Sequence, residues 1–220
     1  MATASRTKNR ALQAQKAAVT RRRIVEASSE LFVRHGYLQT TIADIAREAG
    51  VAVRTVYLCF GGKVDVLVAA LDIAIVGDED QVPVLQRPWF HRLVDERDAV
   101  AALGVFTQAA SEIIDRVYGL YAATRDGSAD PELAEVLDRN KRLRFATHGQ
   151  VAGALSAKPG FTDSLSVQQV TEIIYTLMSQ ETYGLMVVEH RWSVSDWSAW
   201  VERHLRLEIF PTTSAPDHRP

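Results

Sequence analysis

The sequence has little of the chemistry that holds metals or disulfides. It contains one cysteine, Cys59, so no disulfide can form within the chain. No HExxH pattern or cysteine cluster supports a zinc site, and we predict neither a metal nor another cofactor. No apolar run reaches the ~20 residues that a membrane helix needs, and the N-terminal segment lacks the apolar centre of a secretory signal. The sequence therefore predicts a soluble, cytoplasmic protein with no membrane partner.

Alternation of apolar and polar residues with a period of two is also missing, which argues against strands. Apolar residues recur instead at helical spacing, and an apolar fraction of 47% is enough for a sizeable core. The fold class is therefore predicted to be all α. The predicted helices cover about residues 20–35, 42–49, 53–59, 62–75, 98–124, 131–155, 166–190 and 195–210, and residues 77–97 are predicted to be a loop with at most one helical turn.

The charged residues are distributed unevenly along the chain. Residues 1–63 carry 11 Lys and Arg against 4 Asp and Glu, a net charge of +7, whereas the rest carries 14 against 23, a net charge of −9. A basic module beside an acidic body is expected where the first part binds a polyanion such as nucleic acid. The alternative is a solvated basic tail, because several of these charges lie in the first 18 residues.

Two short predicted helices, at residues 42–49 and 53–59, have the spacing of a helix-turn-helix motif. Helices of this length are marginal alone in water, so they must pack against each other and against the first helix. Ala46 is small where the two helices come close, and Gly50 can adopt the positive φ of the turn. Thr41 is suited to cap the first of the two helices, with Asp44 in its first turn.

The stretch RTVYLCFGGK, residues 54–63, fits neither a nucleotide-binding loop nor a reactive thiol. A phosphate loop needs glycine where Tyr57 stands and serine or threonine where Val64 stands. Cys59 falls at an inward position of the second short helix, and no His or Asp lies beside it at helical spacing. This placement is typical of a structural cysteine.

The run TTIADIAREAGVAVRTVYLCFGGKVDVL resembles the DNA-binding domain of the tetracycline-repressor (TetR) family of transcriptional regulators. The residues that carry the resemblance are Thr40-Thr41, the Ile-Ala pair, Ala49-Gly50-Val51, Thr55-Val56-Tyr57, Phe60 and Lys63, and the first helix, RIVEASSELFVRHGY, is similar too. The similarity covers about residues 20–75. It implies a non-enzymatic homodimer, expected to be a repressor, that binds a palindromic operator in double-stranded DNA and is released by a small-molecule effector.

Three residues depart from the family pattern. Cys59 stands where His or Tyr is usual, and Gly62 stands where Ser or Asn commonly begins the fourth helix. Ala52 replaces the serine at the start of the second short helix, which removes a cap worth about 1 kcal/mol. These changes affect the expected phosphate contacts near helix ends and leave the groove-reading surface in place.

The resemblance also implies the division of the chain. We expect a flexible basic arm at residues 1–18 and a three-helix DNA-binding domain at residues 19–66. A larger helical domain for effector binding and dimerisation follows at residues 67–210, and residues 211–220 are expected to form a disordered tail.

In a helix-turn-helix motif the second helix enters the major groove. Arg54 is the best candidate for reading a base, because its planar group matches guanine; the alternative is a phosphate-bound or solvated arginine. Val53 and Thr55 can offer methyl groups or a hydroxyl to base edges. The resemblance implies phosphate contacts by Thr41, Tyr57 and Lys63, and the alternative for Tyr57 is a core aromatic. Arg21, Arg22 and Arg23 are expected to approach phosphates.

The second domain offers candidates for two further sites. An effector cavity could be lined by aromatic and polar residues of the inner helices, although aromatics at helical spacing are often simply core. The candidates are Phe106, Tyr118, Tyr121, Phe145, His148, Tyr175, Met178 and Tyr183, and the effector is expected to be apolar or neutral. A dimer bundle could use the stripes Val170, Ile174, Leu177 and Leu185 and Trp197, Trp200, Val201, His204 and Leu205; the alternative is packing inside one subunit.

Two other functions remain open from the sequence. A small-molecule-binding or sequestering protein could have the same fold without controlling genes. An all-helical enzyme would need a base or nucleophile in a cleft, for which His148 and Glu181 are the only loose candidates, and no partner spacing supports them.

Overall fold

The computed structural model describes residues 2–77, 82–127 and 130–211. These residues form helices and no strand, which confirms the all-α prediction. The helices are α1 (Ala2–His35), α2 (Ile42–Glu48), α3 (Val53–Phe60), α4 (Lys63–Val76), α5 (Pro88–Asp95), α6 (Ala99–Thr124), α7 (Pro131–Ser156), α8 (Val167–Leu177), α9 (Gln180–Tyr183) and α10 (Val194–Ile209), with 3-10 turns at Val84–Gln86 and Arg125–Gly127 and a π-helical segment at Gly184–Glu189. Within the described ranges, none of these helices combines the length and hydropathy of a membrane span.

The chain divides into two compact units. The first contains residues 1–74 together with residues 119–136, and the second contains residues 75–118 and 137–220. The first unit thus includes the end of α6 and the start of α7, which the sequence led us to expect in the second domain. A segment distant in sequence joins the first unit because the backbone N–H of Tyr37 donates to the carbonyl of Ala123, at 2.9 Å.

Helix α1 begins much earlier than predicted. The helix runs without a break from Ala2, through the residues expected from the sequence to form a flexible arm at positions 1–18. The buried stripe of this helix starts only at Ile24, and the side chains of residues 12–19 are exposed. Alanine, glutamine and lysine favour helix by intrinsic propensity without any apolar period. Periodicity therefore located the buried part of α1 and missed its start.

The core of the helix-turn-helix motif follows the predicted pattern. Ile45 and Ala46 of α2 and Val56 of α3 are buried, as is Phe32 of α1. Helix α2 contacts both α1 and α3. Gly50 has a φ of 62° in the turn, a value that strains residues with a side chain, so the predicted role of this glycine is confirmed.

Helix α5 was not predicted and corrects the loop expected at residues 77–97. Pro88 lies in its first turn, where a missing N–H costs nothing. Leu93 is fully buried, and Trp89 and Phe90 pack on the core of the second unit. Two helical turns therefore form in a segment that was predicted to be a loop.

The single helix predicted at residues 166–190 is broken in two. Helix α8 starts at the cap Ser166 and ends at Leu177, after which Met178 and Ser179 leave helical geometry. The hydroxyl of Ser179 accepts from the N–H of Thr182, and the hydroxyl of Thr182 donates to the carbonyl of Leu177 at 2.7 Å. These side chains replace backbone hydrogen bonds of a continuous helix. The predicted disordered tail lies outside the described residues from position 212 on.

Candidate functional site

The first helix of the motif is fixed at its start by Thr41 and Asp44. The Thr41 hydroxyl oxygen accepts from the N–H of Asp44 at 3.1 Å, and the Asp44 carboxylate accepts from the N–H of Thr41 at 3.2 Å. The predicted capping role of Thr41 is thereby confirmed. The Thr41 hydroxyl also donates to Asp44 at 2.6 Å, and this bond, followed by one from Arg47, lowers the pKa of Asp44. A phosphate would have to compete with Asp44 for this hydroxyl.

Helix α3 presents one face of mixed chemistry to solvent. Arg54 is exposed, and Val53 and Tyr57 are 43% and 52% exposed. Thr55 is half-buried beside them, whereas Val56 points into the core. The alternative of a core position for Tyr57 therefore does not hold. The six predicted DNA contacts fall in three groups, which are this face, the cap residue Thr41 and Lys63.

Leu58 is a residue of this face that the sequence reasoning missed. Its side chain is 76% exposed, although leucine is among the residues that proteins most often bury. It follows Arg54 by four positions, so both side chains lie on the same side of α3. That spacing was the available signal. A leucine beside an arginine can add apolar contact with a thymine methyl to the hydrogen bonds of the guanidinium.

Lys63 is engaged inside the first unit. Its ammonium donates to the carbonyls of Tyr37 and Thr40, at 3.0 and 3.1 Å, and lies 4.2 Å from the centre of the Tyr37 ring. Burial lowers the pKa of Lys63 and is the main cause that raises the pKa of Tyr37 to about 12. The turn between α1 and α2 is thus held by the lysine, which has one N–H left for a phosphate.

The substitution Lys63→Met is expected to destabilise the protein as well as weaken DNA binding. Methionine retains an apolar stem but leaves two carbonyls without their donor, a cost of about 1–3 kcal/mol. Urea unfolding checks this loss, with Arg47→Met, an exposed arginine of α2, as the control. Equal stability of both variants would show that the two hydrogen bonds are not important for the fold.

Arg21 supports the far end of α3. Its guanidinium donates to the carbonyl of Cys59 at 2.9 Å and lies 4.1 Å from the centre of the Phe60 ring. This carbonyl belongs to the last turn, where a cation is favoured by the helix dipole. Arg21 thus makes a bond within the domain, and its expected approach to phosphates stays a prediction. At the N-terminal end of α3, Ala52 makes no side-chain capping bond, as expected because alanine has no polar side-chain atom.

The second unit brings several of the predicted effector residues together. Phe106 lies 5.9 Å from His148 between ring centres, His148 lies 6.0 Å from Tyr175, and Tyr175 lies 5.5 Å from Phe145. Burial lowers the pKa of His148 to about 3, with a smaller contribution from the Arg144 charge. This imidazole is therefore neutral at pH 7. We call these four rings, with Arg144, the aromatic cluster.

The other effector candidates lie elsewhere. Tyr118 and Tyr183 form a second pair, 4.9 Å apart between ring centres, and the Tyr183 hydroxyl donates to Asp115 at 2.5 Å. Burial, followed by this hydrogen bond, raises the pKa of Tyr183. Met178 is fully buried in the core. Tyr121 belongs to the first unit and so shares no described site with the rest.

A cavity of about 350 Å³ lies in the second unit between the end of α4, α5 and α6. Its lining is Ile75, Val76, Gly77, Val84, Arg87, Pro88, Trp89, Arg92, Val105, Gln108, Ala109, Glu112, Ile113 and Arg116. None of the eight predicted effector residues is among them. Trp89, whose helix was not predicted, connects this cavity to the aromatic cluster, because its ring lies 6.5 Å from that of Phe106.

Most of the residues proposed for a dimer bundle pack inside one subunit. Five of them are fully buried in the core of the second unit, namely Val170, Ile174, Trp197, Val201 and Leu205. These five residues therefore pack within their own subunit, which is the alternative that the sequence left open. Leu177, Trp200 and His204 are half-buried and Leu185 is 51% exposed, so that only these four could meet a partner.

The fold and the exposed face of α3 define a helix-turn-helix protein with an additional helical unit. Residues 24–70 match the family model of bacterial regulatory proteins of the tetR family. The resemblance of the N-terminal domain to this family, seen in the sequence, is thus confirmed.

Several transcriptional regulators are similar to this chain. The chain is 47% identical over 58 residues to the transcriptional regulator SrpR of Pseudomonas putida, a match that covers 26% of this chain and 27% of SrpR. The structure of NalD, the secondary repressor of the MexAB-OprM multidrug efflux pump in Pseudomonas aeruginosa, is similar with a TM-score of 0.66 and 16% identity over 89% of this chain and 98% of NalD. A protein from Saccharomonospora viridis described as a transcriptional regulator, in complex with choline, has a TM-score of 0.64 and 20% identity over 86% and 96% of the two chains.

The sequence match and the structural matches cover different shares of the chain. The match to SrpR spans about a quarter of this chain and of that protein. The structural neighbours span nearly the whole chain at low identity, and so they support the fold alone. These relatives are transcriptional regulators rather than enzymes, which agrees with the prediction of a non-enzymatic protein.

Proposed function

We propose that this protein is a homodimeric transcriptional repressor that acts in the cytoplasm, binds a palindromic operator and is released from it by a small-molecule effector. The observation that carries the proposal is the exposed face of α3, where Arg54, Tyr57 and Leu58 lie together in a domain of net positive charge. Two such helices, about one DNA turn apart in a dimer, would enter successive major grooves.

The experiment that tests this function is selection of genomic fragments by the purified full-length protein. The enriched fragment is then titrated at 50 and 200 mM salt, conditions between which phosphate contacts lose affinity steeply. We expect a short inverted repeat and a steep dependence on salt. Weak binding to all fragments alike would contradict the repressor and leave the small-molecule-sequestering protein as the function to pursue.

The second unit is proposed to bind the effector. Support comes from the cavity beside α5 and the adjoining aromatic cluster, because ligand sites are usually concave, mostly apolar and provided with a few polar groups. The choline complex of a protein with this fold also favours a small-molecule site in the chain. An effector can release DNA only if it binds the released state more tightly than the bound state.

The dimer is proposed to form through the face of α10 that its own subunit leaves uncovered. Trp200 and His204 are half-buried and Leu207 is 58% exposed, and these positions follow one another at helical spacing. The His204 ring lies 4.6 Å from that of Trp200, so the two form one surface. Leu185 of the π-helical segment, 51% exposed, is a further candidate.

The substitution Leu207→Glu is expected to convert the dimer to a monomer. A charge in the apolar centre of an interface would be buried without a partner, at a cost of several kcal/mol. Sedimentation velocity measures the change, and Leu143→Glu on α7, where leucine is 55% exposed, is the matched control. If both variants stay dimeric, the interface lies elsewhere.

A further inference from the structure

Two residues of α7, Arg144 and His148, have buried polar atoms without a hydrogen-bond partner. These atoms are Nε and Nη1 of Arg144 and Nδ1 of His148, and none has a partner within the described part of the chain. His148 is only 5% exposed. Buried polar groups are nearly always hydrogen-bonded, so three unsatisfied atoms on successive turns of one helix call for an explanation.

The surroundings of this pair are aromatic. The guanidinium carbon of Arg144 lies 4.1 Å from the centre of the Tyr175 ring, and the His148 ring packs between Tyr175 and Phe106. A ring face attracts the positive charge but does not accept the in-plane N–H bonds of the guanidinium. Among the described residues, no carboxylate forms an ion pair with Arg144. The pair thus combines one full positive charge with a neutral imidazole, and it has no anion.

We propose that Arg144 and His148 bind the carboxylate of a small hydrophobic acid, whose apolar body packs against the aromatic cluster. A carboxylate oxygen would accept charge-assisted hydrogen bonds from the guanidinium, and the imidazole would donate a further one. A monoanion matches the single positive charge, whereas a phosphate would bring more charge and more acceptors than these two side chains satisfy. This inference rests on the proposed function in naming the acid as the effector, and it replaces the neutral effector expected from the sequence.

The proposed carboxylate site at Arg144 lies close both to solvent and to the core of the second unit. Phe145, the next residue after Arg144, is 38% exposed and meets Tyr175 edge to face. One aromatic ring of the aromatic cluster therefore borders the solvent, while Phe106, at its other end, is 1% exposed. A molecule with a short apolar body could lie along these rings with its acid group at Arg144.

The test is direct binding of small acids to the full chain in the absence of DNA. The probes are 3-phenylpropionate and decanoate, their neutral amides, and choline as a cation, each titrated by calorimetry. We expect the wild type to bind both acids at least tenfold more tightly than the amides, and choline not to bind. The variant Arg144→Gln is expected to lose at least tenfold in affinity for the acids, whereas Arg142→Gln, an exposed arginine on the same helix, should match the wild type.

A second readout separates recognition from a structural role. Because Arg144 has no ion-pair partner in the described ranges, Arg144→Gln and the apolar Arg144→Met are expected to have melting temperatures at least as high as that of the wild type. If the glutamine variant does not fold, the methionine variant serves for the binding test. A clearly lower melting temperature in both variants, failure of both acids to bind the wild type, or equal binding of acids and amides would overturn the proposal.

The outcome is independent of whether the protein controls genes. Acid binding without an operator would keep the Arg144 site and support the sequestering protein. An operator without acid binding would keep the repressor and remove this ligand class.

Discussion

Replacing Trp197 with alanine is expected to lower the free energy of unfolding by about 3–5 kcal/mol, the usual cost of removing a large buried aromatic side chain. Trp197 is fully buried in the core of the second unit, and its ring meets that of Tyr183 edge to face at 5.2 Å. Its indole N–H has no hydrogen-bond partner among the residues that the structure describes, so the loss comes from packing. Urea unfolding followed by circular dichroism measures the change.

Two further substitutions test this account of Trp197. Trp197→Phe preserves an aromatic ring and removes the unpaired N–H, so we expect it to recover most of the loss. Trp192→Ala, at a tryptophan that is 37% exposed, should cost much less. If Trp192→Ala destabilised the protein as strongly as Trp197→Ala, the core would not be centred where the burial indicates.

The substitution Arg54→Ala is expected to reduce the preference for the operator strongly. One bidentate arginine–guanine contact discriminates by about 1–3 kcal/mol, and a palindrome loses it at both half-sites, so specific binding should weaken by about 2–6 kcal/mol. Binding to unrelated DNA should fall far less, because one phosphate contact or none is lost in each half. Competition between the selected operator and a scrambled sequence gives both quantities.

Arg34→Ala is the matched control for charge. Arg34 is exposed on α1 and forms an ion pair with Glu30 at 3.5 Å, so its loss changes the net charge equally without touching α3. We expect its operator preference to equal that of the wild type. The same fall in preference for both variants would mean that Arg54 acts by charge and not by reading a base.

Local signals in the sequence predicted the helix-turn-helix motif closely. The cap at Thr41 placed the start of α2, and Gly50 placed the turn, because each residue has a conformational property that few others share. Such signals need no knowledge of distant contacts. The exposure of Val53 and Tyr57 followed from the same helical register.

Features that depend on tertiary packing were not predictable in this way. The stripe of α10 showed that Trp197, Val201 and Leu205 would be buried, but an apolar stripe does not say whether its own subunit or a partner covers it. The break after Leu177 depends on hydroxyls that bond to nearby backbone, and serine and threonine also occur in continuous helices. Likewise, the missing partners of Arg144 could be found only once its neighbours were placed.

The exposed face of α3 has a consequence for how the protein could evolve. Arg54 and Leu58 project into solvent, and most substitutions at such positions change the free energy of unfolding by less than about 0.5 kcal/mol. Mutation could therefore alter the DNA sequence that is recognised with little loss of stability. Lys63 has no such freedom, because it also holds a turn. We therefore expect changes in the recognised DNA sequence to arise by substitutions on the exposed face of α3, while the residues that hold the DNA-binding domain together are retained.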